Sequence, residues 1–189
     1  MKTLLLGETD IRLRIWTELQ RAANDQHHEG RTPVLATVGA DGLPKARTVV
    51  LRQAHSKLGQ LRIYTNSCSP KVADMTATPG VMLTFWSNRL GWQLRLQATT
   101  EVQQTGAEVD DNWARVSQSP AAGDYLSAHT PSDLVHGPGV AEAADAGVAP
   151  AHHLAIITAN VQSIDWLELA RSGHRRAFSQ ADSWSWRVP

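Results

Sequence analysis

The stretch Arg47-Thr48-Val49-Val50-Leu51-Arg52 decides how this chain is read. Its β-branched, apolar centre has high strand propensity, and two arginines bracket it that a simple core strand does not need. It opens a longer run, Arg47 to Gln93, built in the same way. Tyr64-Thr65-Asn66 closes one apolar segment, Ser69-Pro70-Lys71 starts a short helix, and Trp92-Gln93-Leu94-Arg95 begins another strand. Cationic and hydroxyl groups therefore collect at the ends of apolar strands. These ends are expected to converge on one phosphorylated ligand.

Working outward, Thr32 to Val38 is apolar and β-branched, and Gly39-Ala40-Asp41-Gly42 is a turn signal. A strand from Pro44 to about Arg52 then completes a hairpin. His55 to Gly59 turns the chain into a third strand, Leu61 to Thr65. Pro70 at a first helical position marks a helix over Lys71, Val72 and Met75. Val81–Trp86 and Trp92–Val102 are two further strands. Upstream, Thr9 or Asp10 caps a helix with Ile11, Ile15, Leu19 and Ala22 on one face, and His27 and His28 read as surface residues. Downstream, Val109, Trp113 and Val116 fit a helical face, and a second helix takes in Tyr125 and Leu126. Leu154–Thr158 and Asn160–Leu169 return to strand, with a last pair of short strands around Gly173-His174-Arg175-Arg176. This pattern predicts a mainly β protein, a small antiparallel β-barrel with flanking helices.

The 189 residues suffice for one well-buried domain, expected over 1–189. Residues 137–151 are small and rich in breakers, and read as a mobile loop within that domain. The formal net charge is zero, which argues against a nucleic-acid partner. No apolar run is long enough to span a bilayer, and the start of the chain is too weakly apolar for a signal peptide. The one cysteine, Cys68, fits a reducing compartment, so a cytoplasmic location is expected. No Cys-x-x-Cys pair occurs, and His152 and His153 would face opposite sides of a strand, so no metal is expected. Cys68 lies near a helix N-terminus, but no sequence feature supplies a base for it.

The remaining chemistry is that of phosphate. Arg47 and Arg52 offer bidentate forks, Lys71 a point charge, and Thr65 and Ser69 hydroxyls near a helix start that favours anions. Gln93 can both donate to and accept from a heterocycle edge.

Arg47-Thr-Val-Val-Leu-Arg52, Tyr64-Thr65-Asn66, Ser69-Pro-Lys71 and Gln93-Leu-Arg95, in this order and spacing, resemble the pyridoxamine 5'-phosphate oxidase family. Asp165-Trp166, with Arg176 ten residues after the tryptophan, is similar to that family's closing motif. The resemblance spans roughly Thr32 to Phe178 and is nearest to the shorter, FMN-binding, oxidase-like branch. It implies an FMN-binding split barrel, working as a homodimer with FMN at the subunit interface. Arg47 and Lys71 would hold the FMN phosphate, with Tyr64, Thr65 and Ser69 nearby. Thr48, Val49, Val50 and Leu51 would run along the isoalloxazine, and Gln93 would contact it. Trp166 and Arg176 would close the site from the partner chain. Arg52 would be shared between flavin and substrate, and His174 would bind substrate; no catalytic residue is assigned.

The departures from that family are specific. Pro70 stands in place of an arginine, and Ser172 in place of a substrate-binding arginine, with Arg171 and Arg175 beside the gap. Arg115, Ser117 and Ser119 match the substrate-phosphate groups only loosely, and His129-Thr130 match a flavin-contacting Gln-Ser pair weakly. The resemblance therefore implies an FMN oxidoreductase that takes a hydride at flavin N5 from a small substrate or a reduced nicotinamide. Oxidation of pyridoxamine 5'-phosphate, a step of pyridoxine metabolism, is the named candidate. The alternative is a flavin- or haem-binding module without turnover; a deazaflavin is disfavoured by Arg47 and Lys71.

Overall fold

A computed structural model describes residues 7–126, 131–132, 134 and 152–189. The expected loop at 137–151, and His129 and Thr130, lie outside the described residues. Helix α1 (Glu8–Asn24) buries Ile11, Ile15, Leu19 and Ala22, the face that the spacing predicts. It starts ahead of the expected cap. Gly7 is the N-cap, and Asp10 turns back to accept the Gly7 N–H at 3.3 Å. His28 is not a surface residue. Its side chain is 10% exposed and its Nε2 lies 3.1 Å from the Glu18 carboxylate, fixing the chain after α1 against the helix.

Among the described residues, nine strands form one antiparallel sheet. They are β1 (Val34–Val38), β2 (Pro44–Thr48), β3 (Leu51–His55), β4 (Gln60–Asn66), β5 (Gly80–Ser87), β6 (Trp92–Gln103), β7 (Leu154–Glu168), β8 (Arg175–Gln180) and β9 (Ser183–Arg187). The order is β2-β1-β5-β6-β7-β4-β3, with β8 added to β7 and β9 to β8. Helix α2 (Pro70–Ala77) interrupts the strands, and helix α3 (Ala107–Val116) precedes a 3-10 stretch, Pro120–Tyr125. That stretch takes the place of the second α-helix expected around Tyr125 and Leu126.

The expected single strand from Pro44 to Arg52 is two strands. β2 pairs with β1 and β3 with β4, at opposite ends of the strand path, and Val49-Val50 joins them. The Val49 N–H donates to Pro33 O at 3.0 Å, continuing the register of the β1–β2 ladder up to the joint. Strand propensity is satisfied on both sides of the break, but no strand can serve both partners without turning there.

Alternation then builds the core. Leu35, Leu83 and Leu96 pair in one row across β1, β5 and β6, each fully buried, and Ile63 and Leu61 close the opposite wall from β4. The stretch read as two segments forms one 15-residue strand, Leu154–Glu168. The irregularity that looked like a break is a bulge: Gln97 faces Ser163 but Ala98 faces Val161, leaving Gln162 extra. The last hairpin also turns later than expected, between Gln180 and Ser183. Gly173 (φ 120°) instead forms the turn from β7 into β8.

Candidate functional site

Two short elements bring the first group of charges together. On β2, Lys45 and Arg47 are two residues apart and share a face. On α2, Lys71 and Asp74 are three apart and share a face. The faces meet. Asp74, 5% exposed, accepts Thr37 Oγ1 at 3.0 Å and Lys45 Nζ at 3.3 Å, with Arg47 Nη2 at 3.8 Å. Arg47 Nη1 also donates to Thr37 Oγ1 at 2.8 Å, to Lys45 O at 3.2 Å and to Leu35 O at 3.3 Å. Lys71 Nζ donates to Ser69 Oγ at 2.5 Å. The Ser69 hydroxyl is therefore turned to the lysine and does not cap its own helix. Burial, with the neighbouring Arg47 charge, lowers the Lys71 ammonium below the usual lysine range. Thr65 is buried at the end of β4, next to the loop that leads into Ser69.

Arg52 lies elsewhere, on the α3 side of the barrel wall. Its guanidinium sits 5.6 Å from the Tyr64 ring centroid, and its Nε is buried without a partner. Tyr64 donates to Asn112 of α3. Burial pushes the nearby Tyr125 phenol up, and the Arg52 charge partly offsets this. Between Arg47 and Arg52, Thr48 is exposed, Val49 and Leu51 are buried and Val50 is half-buried. Val49 and Leu51 thus keep their side chains in the core, leaving backbone as what they can present to a ligand.

The second group is separate. Gln93 alternates with the buried Trp92 and Leu94 and faces outward. It belongs to a row, Trp86–Gln93–Leu167–Arg176, that runs directly across β5, β6, β7 and β8. The next outward row contains Arg95 and Asp165. Asp165 accepts Arg176 Nε at 3.0 Å and Nη2 at 2.8 Å, and Arg95 Nη2 at 2.5 Å. Burial alone would raise its carboxyl, but hydrogen bonds from Arg176 and Arg95 outweigh this and hold it below the usual carboxylate range. Arg176 is raised in turn by the hydrogen bond to Asp165. Trp166 points inward between these rows. It is 0% exposed, edge-on to Trp92 at 5.5 Å, and its indole N–H has no partner.

His174 is exposed on the β7–β8 turn, its Nδ1 accepting the Ala170 N–H at 3.3 Å. Of the residues beside it, Arg171 is exposed, whereas Arg175 is bound to Glu168 at 2.7 Å. Arg115 bonds within α3, to Asp111 O and Asn112 Oδ1.

The predicted residues thus fall into two sets within one chain. Arg47, Lys71 and Ser69 converge, with Thr65 adjoining. Gln93 and Arg176 converge on another surface. The chain just after α2 meets β6 at Thr100, whose N–H donates to Pro79 O at 2.9 Å. Gln93 is seven residues away along that strand, roughly 24 Å at strand rise.

Sequence reasoning missed Thr37, Lys45, Asp74 and Arg95. Strand parity with Arg47 and helix spacing from Lys71 were available signals for Lys45 and Asp74. It also missed that His153 Nδ1 stands 3.5 Å from Cys68 Sγ, because the two are brought together only by the β4–β7 pairing. Among the described residues, no group of three or more His, Cys, Asp or Glu side chains is arranged to hold a metal ion. No helix there is long and apolar enough to cross a membrane.

The fold and the cation cluster define a mainly β, antiparallel split barrel with a cationic corner between β2 and α2. The chain belongs to the pyridoxamine 5'-phosphate oxidase family, whose model matches residues 19–135. It is 36% identical over 97 residues to a pyridoxine/pyridoxamine 5'-phosphate oxidase of Thermosynechococcus vestitus, covering 51% of this chain and 44% of that protein. A second such oxidase, of Microcystis aeruginosa, is 32% identical over 117 residues, 60% of this chain and 52% of its own length. The chain spans about half the length of the curated relatives it matches.

Among solved structures, it is similar to a pyridoxamine 5'-phosphate oxidase-related, FMN-binding protein of Nostoc punctiforme (TM-score 0.69, 18% identity, 98% of this chain and 100% of that one). It is also similar to PhzG of Burkholderia lata, solved with tetrahydrophenazine-1-carboxylic acid (TM-score 0.71, 16% identity, 100% and 99% covered).

Proposed function

We propose that this chain is an FMN-dependent oxidoreductase that works as a homodimer, one domain per chain, in the reducing cytoplasm that its lone thiol suits. The observation that carries the reading is the corner where Arg47 and Lys71 approach each other. Two like charges are held close, one of them depressed by burial, and a phosphate placed between them would relieve both. The residues fit an FMN phosphate: a fork at Arg47, a point charge at Lys71 and hydroxyls at Ser69 and Thr65. FMN, when bound, supplies a hydride acceptor at its N5.

The chain's part is to bind and orient. Thr48 to Leu51 would offer backbone groups along the ring edge, beside Tyr64. Gln93 and Arg176 lie on a different surface from Arg47, so one chain cannot close both around one ligand. A second copy supplying Gln93, Trp166 and Arg176 would complete the pocket. Trp166, buried edge-on against Trp92, would act there by stiffening the strand that carries Asp165 and, through it, Arg176. Arg52, with its unpartnered Nε, and His174, on an exposed turn, are the groups left to meet a small substrate.

The test is a flavin titration. Purified protein should bind FMN and show flavin absorption bands, and Arg47→Ala should weaken binding by roughly tenfold to a hundredfold, the loss of a charged hydrogen-bonding fork. Unchanged affinity in the variant, or a Soret band in place of flavin bands, would refute the assignment. Incubation with pyridoxamine 5'-phosphate, following hydrogen peroxide and pyridoxal phosphate, tests the named substrate. Sedimentation of a flavin-loaded monomer would refute the shared pocket.

A further inference from the structure

We propose that Lys45 is a third phosphate-binding cation of this site, held for that task by the buried carboxylate of Asp74. The proposal rests on the FMN reading above and deepens it.

The argument begins with charge. Lys45, Arg47 and Lys71 meet on the two facing surfaces of β2 and α2, and Asp74 is the carboxylate that reaches this corner. Three positive charges face Asp74, with the Asp41 carboxylate beside Lys45, so the corner keeps a positive excess. A phosphate monoester carries about −1.5 to −2 at neutral pH and would be drawn to that excess. A corner built only for stability would pair its cations one to one. Here a single carboxylate, 5% exposed, holds Lys45 at 3.3 Å and Arg47 at 3.8 Å on its two oxygens.

Geometry supports the same assignment. Lys45 is two residues from Arg47 and emerges on the same side of β2. Its ammonium lies over Gly39, beside Asp41: a Cβ there would stand 2.4 Å from Lys45 Cε, 2.5 Å from its Nζ and 2.5 Å from Asp41 Oδ1. The missing side chain at Gly39 leaves the space that this lysine occupies. The Lys45 side chain is still 40% exposed, so its charge remains within reach of an incoming anion. Pro70, the residue at the start of α2, has neither a charge nor an N–H to give. Lys45 supplies from the strand what that helix position lacks. Asp74 acts as a positioning residue, fixing two of the three cations through Thr37 and its own oxygens.

The experiment compares FMN with riboflavin, which has the same ring and no phosphate. Both are titrated by flavin fluorescence against wild-type protein, Lys45→Met and Lys45→Arg, with thermal melts of each apo protein to establish folding. Lys45→Met should raise the FMN Kd roughly tenfold, a charged contact discounted for partial exposure, and leave the riboflavin Kd unchanged. Lys45→Arg should keep FMN affinity near wild type. If wild-type protein binds FMN and Lys45→Met binds it equally well, Lys45 has no such role and the FMN reading stands. Equal weakening of FMN and riboflavin also overturns the proposal, since the effect would then lie in the ring pocket or the fold. Wild-type protein that ignores FMN overturns both readings together.

Discussion

Replacing Asp165 by asparagine tests the outward rows of the sheet. The carboxylate takes two bonds from Arg176 and one from Arg95. Asparagine keeps one acceptor oxygen, turns an amide donor towards a guanidinium, and leaves two arginines facing each other without a counter-charge. Fully buried, such a network would be worth several kcal/mol. Arg95 is 40% exposed and Arg176 27%, against 13% for Asp165, so solvent screens part of it. A loss of about 2 kcal/mol is expected, which for a chain of this size lowers Tm by about 4–8 °C.

The pH dependence separates charge from shape. The folded carboxyl is held below its ordinary value, so its stabilisation is complete above the unfolded pKa, near about 3.9, and is lost as pH falls through the folded value. The gap in Tm between wild type and Asp165→Asn should be constant from neutral pH down to about 4 and narrow below that. Thermal melts by circular dichroism across this range measure it. A gap that does not change with pH, or no gap at neutral pH, would refute the reasoning.

Three other variants have expected outcomes. Lys71→Met should melt no lower than wild type without ligand. The folded state depresses that ammonium, so its charge costs stability at every pH below the folded pKa and the variant removes the cost. The same variant should lose FMN affinity by roughly tenfold or more in the fluorescence titration. Gly91→Ala should destabilise by about 1–3 kcal/mol in denaturant melts, because Gly91 has φ 62° and a Cβ there would lie 2.6 Å from Leu169 O. Leu83→Ala, at the fully buried centre of the leucine row, should cost about 2–5 kcal/mol in the same assay.

Much of the fold was legible because it follows from alternation and punctuation. The face of α1, the proline start of α2 and the strands β4, β5 and β6 stand where local sequence puts them. What was not legible depends on which strand pairs with which. Val49-Val50 has the propensity of a strand centre, and only the positions of β1 and β4 make it a joint. The bulge at Gln162 is set by β6 and not by anything in β7 alone. The same distinction holds for the site. Arg47, Ser69 and Lys71 are close in sequence to the ends of two adjoining elements, and they converge. Helix spacing puts Asp74 on the face of Lys71, but its pairing with Lys45 and Thr37 follows only from α2 lying against β1. Gln93 and Arg176, about 80 residues apart, became neighbours only through the register of β7 between their strands.

That register has a consequence for how the chain is made. β7 enters between β6 and β4, so the strand that joins them is synthesised after both. Until it emerges, β6 and β4 each present a row of unpaired backbone groups, the kind of edge on which chains aggregate. At about 5–20 residues per second, translating the stretch from Gln103 to Glu168 keeps both edges open for several seconds. The segment that matches the family, residues 19–135, stops short of β7. Expressed by itself it would be left as two separate sheets, β2-β1-β5-β6 and β4-β3, whose bare β6 and β4 margins would need a chaperone or another strand to cover them.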